Sequence, residues 1–131
     1  MRRGAVLLLL LAGCSAATDA PYSVAAGAYN LVSINGKSLP VPAEPAPPGG
    51  KLEVVGGRLY LGGTAGPNGA LQRMIYRTTI GSAVTVDSSS ATGTFYPTGA
   101  TAQTTFGTVS VVGNALTLKA TDGTVRMFNR Q

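Results

Sequence analysis

The sequence predicts an all-β protein, an antiparallel meander of about eight to ten strands closed into a small β-barrel. Three observations carry this. Short runs of β-branched and alternating apolar residues recur along the chain, each bounded by glycine, asparagine or aspartate. No window holds a sustained helical period. A sequential meander also leaves two open edges, and closing the sheet on itself removes them.

The strands are expected in order as follows. Gly27 to Ile34 is the first, ended by Asn35-Gly36, the strongest short hairpin signal. Lys37 to Val41 then runs into PVPAEPAPPGG, whose prolines exclude a central strand and predict an extended surface loop. Lys51 to Val55 and Arg58 to Leu61 are read as two strands of a hairpin turning at Gly56-Gly57, and GGTAGPNG as a broad loop before the longest run, Ala70 to Ile80. Ser82 to Asp87 returns across Gly81, SSSATG reads as a loop, and Thr92 to Tyr96 stops at Pro97. Thr104 to Val112 and Ala115 to Ala120 are joined by Gly113-Asn114, and Asp122-Gly123 turns the chain into Thr124 to Asn129.

Side-chain alternation separates the faces of these strands. Leu116 and Leu118 oppose Thr117 and Lys119. Met74, Tyr76 and Ile80 share one face, with Arg73, Ile75 and Arg77 on the other, and in the last strand Val125 and Met127 oppose Arg126, Phe128 and Arg130. Such half-apolar strands suit a small barrel largely filled by side chains.

Ahead of the barrel, Arg2 and Arg3, the apolar run Ala5 to Leu11 and a patch of small residues make up the three parts of an export signal. Leu11-Ala12-Gly13-Cys14 resembles the lipobox of bacterial lipoproteins. That resemblance implies a signal peptide at 1–13, cleavage before Cys14 and a diacylglycerol on its thiol, a thioether chemistry that needs a thiolate nucleophile. It also implies a membrane partner through palmitate-type acyl chains, a cell-envelope location, and, because Ser15 follows Cys14, the outer membrane over the inner. A secretory signal cut later, after Ala17, uses the same small residues. Residues 14–26, rich in Ala, Ser and Thr, are expected to be a lipidated flexible tether, leaving 27–131 as the domain.

The opening strand, Gly27-Ala28-Tyr29-x-Leu31 followed by SINGKSLP, and the closing RMFNR together resemble the small lipocalin-like, calycin-like barrels of bacterial lipoproteins. The resemblance implies that Tyr29, standing where tryptophan is usual, lies against Arg126 or Arg130 of the last strand and closes the barrel base by a cation–π contact.

Composition removes several functions. The chain has 131 residues, and its charged fraction is 11%, against roughly 25% in ordinary soluble proteins. Outside the leader no apolar run is long enough for a membrane-spanning helix, so the body is expected in water. Of the 10 Lys and Arg, the leader holds Arg2 and Arg3; 8 against 5 acids leaves +3, with the bases scattered. Nucleic acid is not an expected partner. Histidine is absent, which takes away the usual general base and metal ligand. Of the five acids, Asp19 and Glu44 fall in the tether and the proline loop, Asp122 belongs to a turn, and no nucleophile elbow or phosphate loop is present. An enzyme, a metal and a cofactor are therefore not expected.

Binding is what remains. Tyr60, Arg73, Tyr76, Phe95, Tyr96 and Phe106 are the candidates for an apolar pocket with a cationic rim, suited to a small hydrophobic ligand or an envelope component. The same aromatic residues can instead pack the core. A different class of function, a structural or inhibitory module contacting an envelope protein, places its interface on the proline loop Pro40 to Pro48 beside a filled barrel.

Overall fold

The computed structural model describes residues 25–66, 68–98 and 101–131. Ten strands form one sheet: β1 (Gly27–Ile34), β2 (Lys37–Ser38), β3 (Val41–Pro42), β4 (Gly50–Leu61), β5 (Gly69–Ile80), β6 (Ala83–Thr98), β7 (Thr101–Thr104), β8 (Gly107–Val112), β9 (Ala115–Ala120) and β10 (Val125–Arg130). Eight of them, β1 and β4 to β10, follow one another antiparallel, and β1 pairs with both β10 and β4. The result is a closed up-and-down barrel, consistent with the lipocalin-like resemblance, with β2 and β3 as short additions at its rim.

Turn chemistry explains the hairpins. Asn35 and Gly36 both take positive φ, 50° and 81°, the pair of left-handed residues a type I′ turn requires. Asn35 also holds the rim together: its amide donates to the Val125 carbonyl at 2.7 Å, and its Oδ1 accepts from the Val125 amide at 2.8 Å. Gly113, at φ 61°, supplies the first central position of the β8–β9 turn. Asp122 Oδ1 accepts from the Thr124 amide at 2.9 Å and fixes the β9–β10 turn.

The core is the barrel interior. Leu59, Leu61, Phe95, Val109, Leu116, Leu118, Phe128 and Tyr29 are almost fully removed from solvent, each on an inward alternate position. Burying one such side chain is worth roughly 1.5–3 kcal/mol. Near the base the interior is therefore solid.

Four expected elements are corrected. Gly56-Gly57 is no hairpin: β4 runs unbroken through it, 12 residues long, with one extra residue at Val55 bulging the ladder between Val54 and Gly56. Gly57 is buried where a Cβ would meet the Arg73 carbonyl at 2.9 Å and Leu31 at 3.1 Å, so the glycine admits a neighbouring strand's side chain. SSSATG is not a loop but the middle of β6, whose 16 residues continue through Pro97. Thr104 to Val112 is two strands, because Thr104 Oγ1 accepts from the Phe106 and Gly107 amides and forms a turn at Thr105-Phe106. The proline loop contributes Val41 and Pro42 as β3, paired with Val54 and Glu53.

The strands differ greatly in length, and this shapes the molecule. β7 has 4 residues and β8, β9 and β10 have 6 each, whereas β5 and β6 have 12 and 16. The β5–β6 hairpin consequently projects past the barrel on one side, and every residue from Gly81 to Thr92 is exposed.

Candidate functional site in the barrel mouth

The two ends of the barrel are built differently. At the base, the Arg130 guanidinium carbon lies 4.9 Å from the centroid of the Tyr29 ring. Arg130 donates to the Ala26 carbonyl at 3.0 Å, and the Tyr29 hydroxyl donates to the Ala25 carbonyl at 2.8 Å. Burial raises the Tyr29 phenol above its usual range, with the Arg130 charge and hydrogen bond acting the other way. Gly27, at φ 143°, leaves the space: a Cβ there would stand 2.8 Å from Arg130 Nη1. Ala25 is fully buried in this plug and Ala26 packs against it, so these two residues of the expected tether belong to the base.

Of the two arginines expected near Tyr29, register selects Arg130. Tyr29 is paired with Arg130, while Arg126 is paired with Ile34 at the other end of β1. Four residues of strand separate them, roughly 13 Å. Arg126 thus belongs to the mouth.

There it joins a cleft of about 680 Å³ open to solvent. Ile34, Val41, Val54, Met74 and Tyr76 give the cleft apolar walls, and Lys37, Glu44, Asp122 and Arg126 its charges. Each arrives by a simple local rule. Val54, Met74 and Tyr76 are inward alternates of β4 and β5, with Val54 paired to Tyr76 and Gly57 to Met74. Val41 comes from the rim strand β3, and Ile34 and Arg126 face one another across the β1–β10 seam.

Arg126 is the chemically unusual member. Its Nε is buried without a hydrogen-bond partner, and among the described residues no carboxylate lies within ion-pair distance of it. Two acids have other partners of their own. Glu53 accepts from Arg77 Nη2 at 2.8 Å on the outer wall, and that bond lowers its carboxyl below the usual range. Asp122 is lowered first by its turn hydrogen bond to Thr124, with the charge of Arg126 a smaller cause. The mouth therefore presents a guanidinium with unused donor capacity beside an apolar wall.

The six residues expected to line a pocket are not brought together. Only Tyr76 reaches the cleft. Phe95 is 1% exposed and packs the core, and Phe106 covers the core from the β7–β8 turn. Alternation puts the others outside: Tyr96 is 57% exposed, Arg73 is exposed with Nε 3.5 Å from Ser90 Oγ, and Tyr60 lies on the outer wall with its hydroxyl 3.4 Å from Arg58. The signal for Arg126 was present in the sequence, as an arginine on the same face as the core residue Phe128.

Cys14, the expected lipidation site, the signal peptide at 1–13 and most of the expected tether lie outside the described residues. No helix among the described residues is long and apolar enough to cross a membrane, and they contain no cluster of metal-ligating side chains. Comparison of the chain with protein-family models, with curated proteins and with solved structures finds no match.

Proposed function

We propose that this chain is a non-enzymatic lipoprotein of the bacterial cell envelope, anchored through Cys14, whose barrel mouth binds an anionic amphiphile. The observation that carries the binding half is the buried, unpartnered Arg126 Nε on the wall of an apolar-lined cleft. An unsatisfied buried donor costs roughly 1–3 kcal/mol, and an anionic head group removes that cost while gaining a charge-assisted bond. The cleft volume lies within the usual range for small-molecule sites, roughly 300–1,000 Å³. Below it, Phe128, Leu118 and Leu59 close the interior, so the apolar part of the ligand lies along Val41, Val54 and Met74 and does not thread the barrel. The anchor rests on the lipobox pattern Leu11-Ala12-Gly13-Cys14 and the preceding export signal.

Native mass spectrometry of the protein purified from its own membranes tests both halves. The expected result is a mature chain beginning at a lipidated Cys14, with an anionic amphiphile bound that is lost in Arg126→Met. An unmodified Cys14 overturns the anchor. A chain that carries no amphiphile and fails to bind a fluorescent long-chain carboxylate overturns the ligand reading.

A further inference from the structure

We propose that the open edge of β6 pairs two copies of this chain into a symmetric dimer. β6 is hydrogen-bonded to β5 along its length from Ala83 to Thr94, but β7 meets it only from Phe95 to Thr98. Between the hairpin tip and β7, one side of β6 faces solvent. Parity identifies the groups on that side. The Thr94 amide donates to Thr105 Oγ1 at 2.9 Å and its carbonyl accepts from the Thr105 amide at 3.2 Å, so Thr94 directs both backbone groups away from β5. Alternate residues do the same, which places the N–H and C=O groups of Val84, Val86, Ser88, Ser90 and Thr92 along the open edge.

Natural edges are commonly guarded by lysine, proline, a bulge or a covering segment. This stretch, AVTVDSSSATG, holds neither lysine nor proline, its register to β5 is unbroken, and Asp87 is its single charge. Val84 and Val86 are each 59% exposed. Such an edge is a template for an added strand.

A second copy fits this edge better than an unrelated strand because the edge is self-complementary. A two-fold axis through Ser88 sets Val84 against Thr92 of the partner subunit, Val86 against Ser90 of the partner subunit, and Ser88 against Ser88 of the partner subunit. Every open donor and acceptor from Val84 to Thr92 then meets its counterpart, and the partner's hairpin tip ends where β7 begins. In this register Asp87 faces Ser89 of the partner subunit. Centring the pair one residue earlier keeps the same hydrogen-bonding parity but opposes two aspartates, so charge selects the alignment on Ser88. The two barrels end up at opposite ends of one continuous sheet.

The test is oxidative cross-linking in the full chain carrying Cys14→Ser, so that an introduced thiol is the sole one. Ser88→Cys is expected to form a disulfide-linked dimer, while Thr85→Cys, facing Ala91 of the partner subunit, is not. Sedimentation equilibrium of the Cys14→Ser chain is expected to show the mass doubling as concentration rises through the micromolar range. Ser88→Pro removes an edge donor without touching the β5 ladder and should return the mass to that of one chain. Val86→Lys, at an exposed position, should do the same should the proline variant fail to fold. A monomer at all concentrations, equal cross-linking at Thr85→Cys, or β6 amides protected from exchange only on addition of a foreign extended peptide overturns the proposal.

Discussion

Replacing Arg126 by methionine separates a ligand-binding residue from a structural one, because the two roles predict opposite signs. In the free protein the Arg126 Nε is buried without a partner. An orphaned buried donor costs about 1–3 kcal/mol, and the side chain as a whole is only half-buried, so about 1 kcal/mol is the fitting end of that range. Methionine keeps the apolar stem against Ile34 and Leu118, the residues paired with Arg126 on either side, and leaves no donor behind. Arg126→Met is therefore expected to stabilise the free protein by about 1 kcal/mol, near a 4 °C rise in Tm for a domain of roughly 100 residues. The same change removes a charge-assisted bond worth about 1.5–3 kcal/mol, weakening the binding of an anionic amphiphile about 10- to 150-fold. Arg126→Lys, which retains charge but not the planar fork, should fall between. Thermal unfolding followed by circular dichroism and displacement of a fluorescent carboxylate measure the two quantities on the same samples. A variant that melts several degrees lower and binds as well as the parent shows that Arg126 holds the rim together, and the reasoning fails.

Further outcomes are expected elsewhere in the barrel. Leu118→Ala, at a fully buried position, should cost about 2–5 kcal/mol in urea unfolding; a loss below about 1 kcal/mol would mean that the interior collapses readily. Gly27→Ala combines a positive φ with a methyl pressed on Arg130 and should destabilise by more than about 1 kcal/mol, with Arg130→Met relieving the steric part. Because burial raises the folded-state phenol of Tyr29 above 10.0, its stabilising contribution is complete below that pH and lost as pH rises through the folded value. Absorbance near the tyrosinate band should show one tyrosine ionising together with alkaline unfolding, a coupling that Tyr29→Phe removes. Glu53 has the opposite sense: its lowered carboxyl contributes stability above its ordinary value of 4.5 that is lost as pH falls through the folded value. Stability measured through mild acid should fall less steeply in Glu53→Gln.

How much of this was legible in the sequence depended on whether a residue's role is local. Asn35-Gly36, Gly113-Asn114 and Asp122-Gly123 marked real turns because their conformation depends on the residues themselves. Gly56-Gly57 carried the same composition for a non-local reason, the approach of Leu31 from β1, which no local rule detects. The run Ser88 to Gly93 looked like a loop because the projecting hairpin is wet on both faces and so lacks apolar alternation. The Thr105-Phe106 turn was hidden in a β-rich run, since it depends on a hydroxyl, Thr104, standing in for a backbone partner. The candidate site followed the same division. Alternation correctly placed Met74 and Tyr76 on one face, but the aromatic residues grouped as a pocket were grouped by type, and their strand parity distributes them over core and outer wall. Arg126 and Arg130 were indistinguishable until the β1–β10 register assigned one to each end.

That seam has a kinetic meaning as well. β1 and β10 are bonded across almost the whole length of the domain, and the Gln131 amide still donates to the Ala28 carbonyl at 3.0 Å. A chain emerging from a ribosome or through a narrow pore can form the β4–β5–β6 hairpins as they appear, yet β1 waits for its second neighbour until the final strand is free. Until then its outer edge stays adhesive, and closure is expected to be slow relative to hairpin formation. The step that completes the barrel is thus also the one that ends its exposure to aggregation.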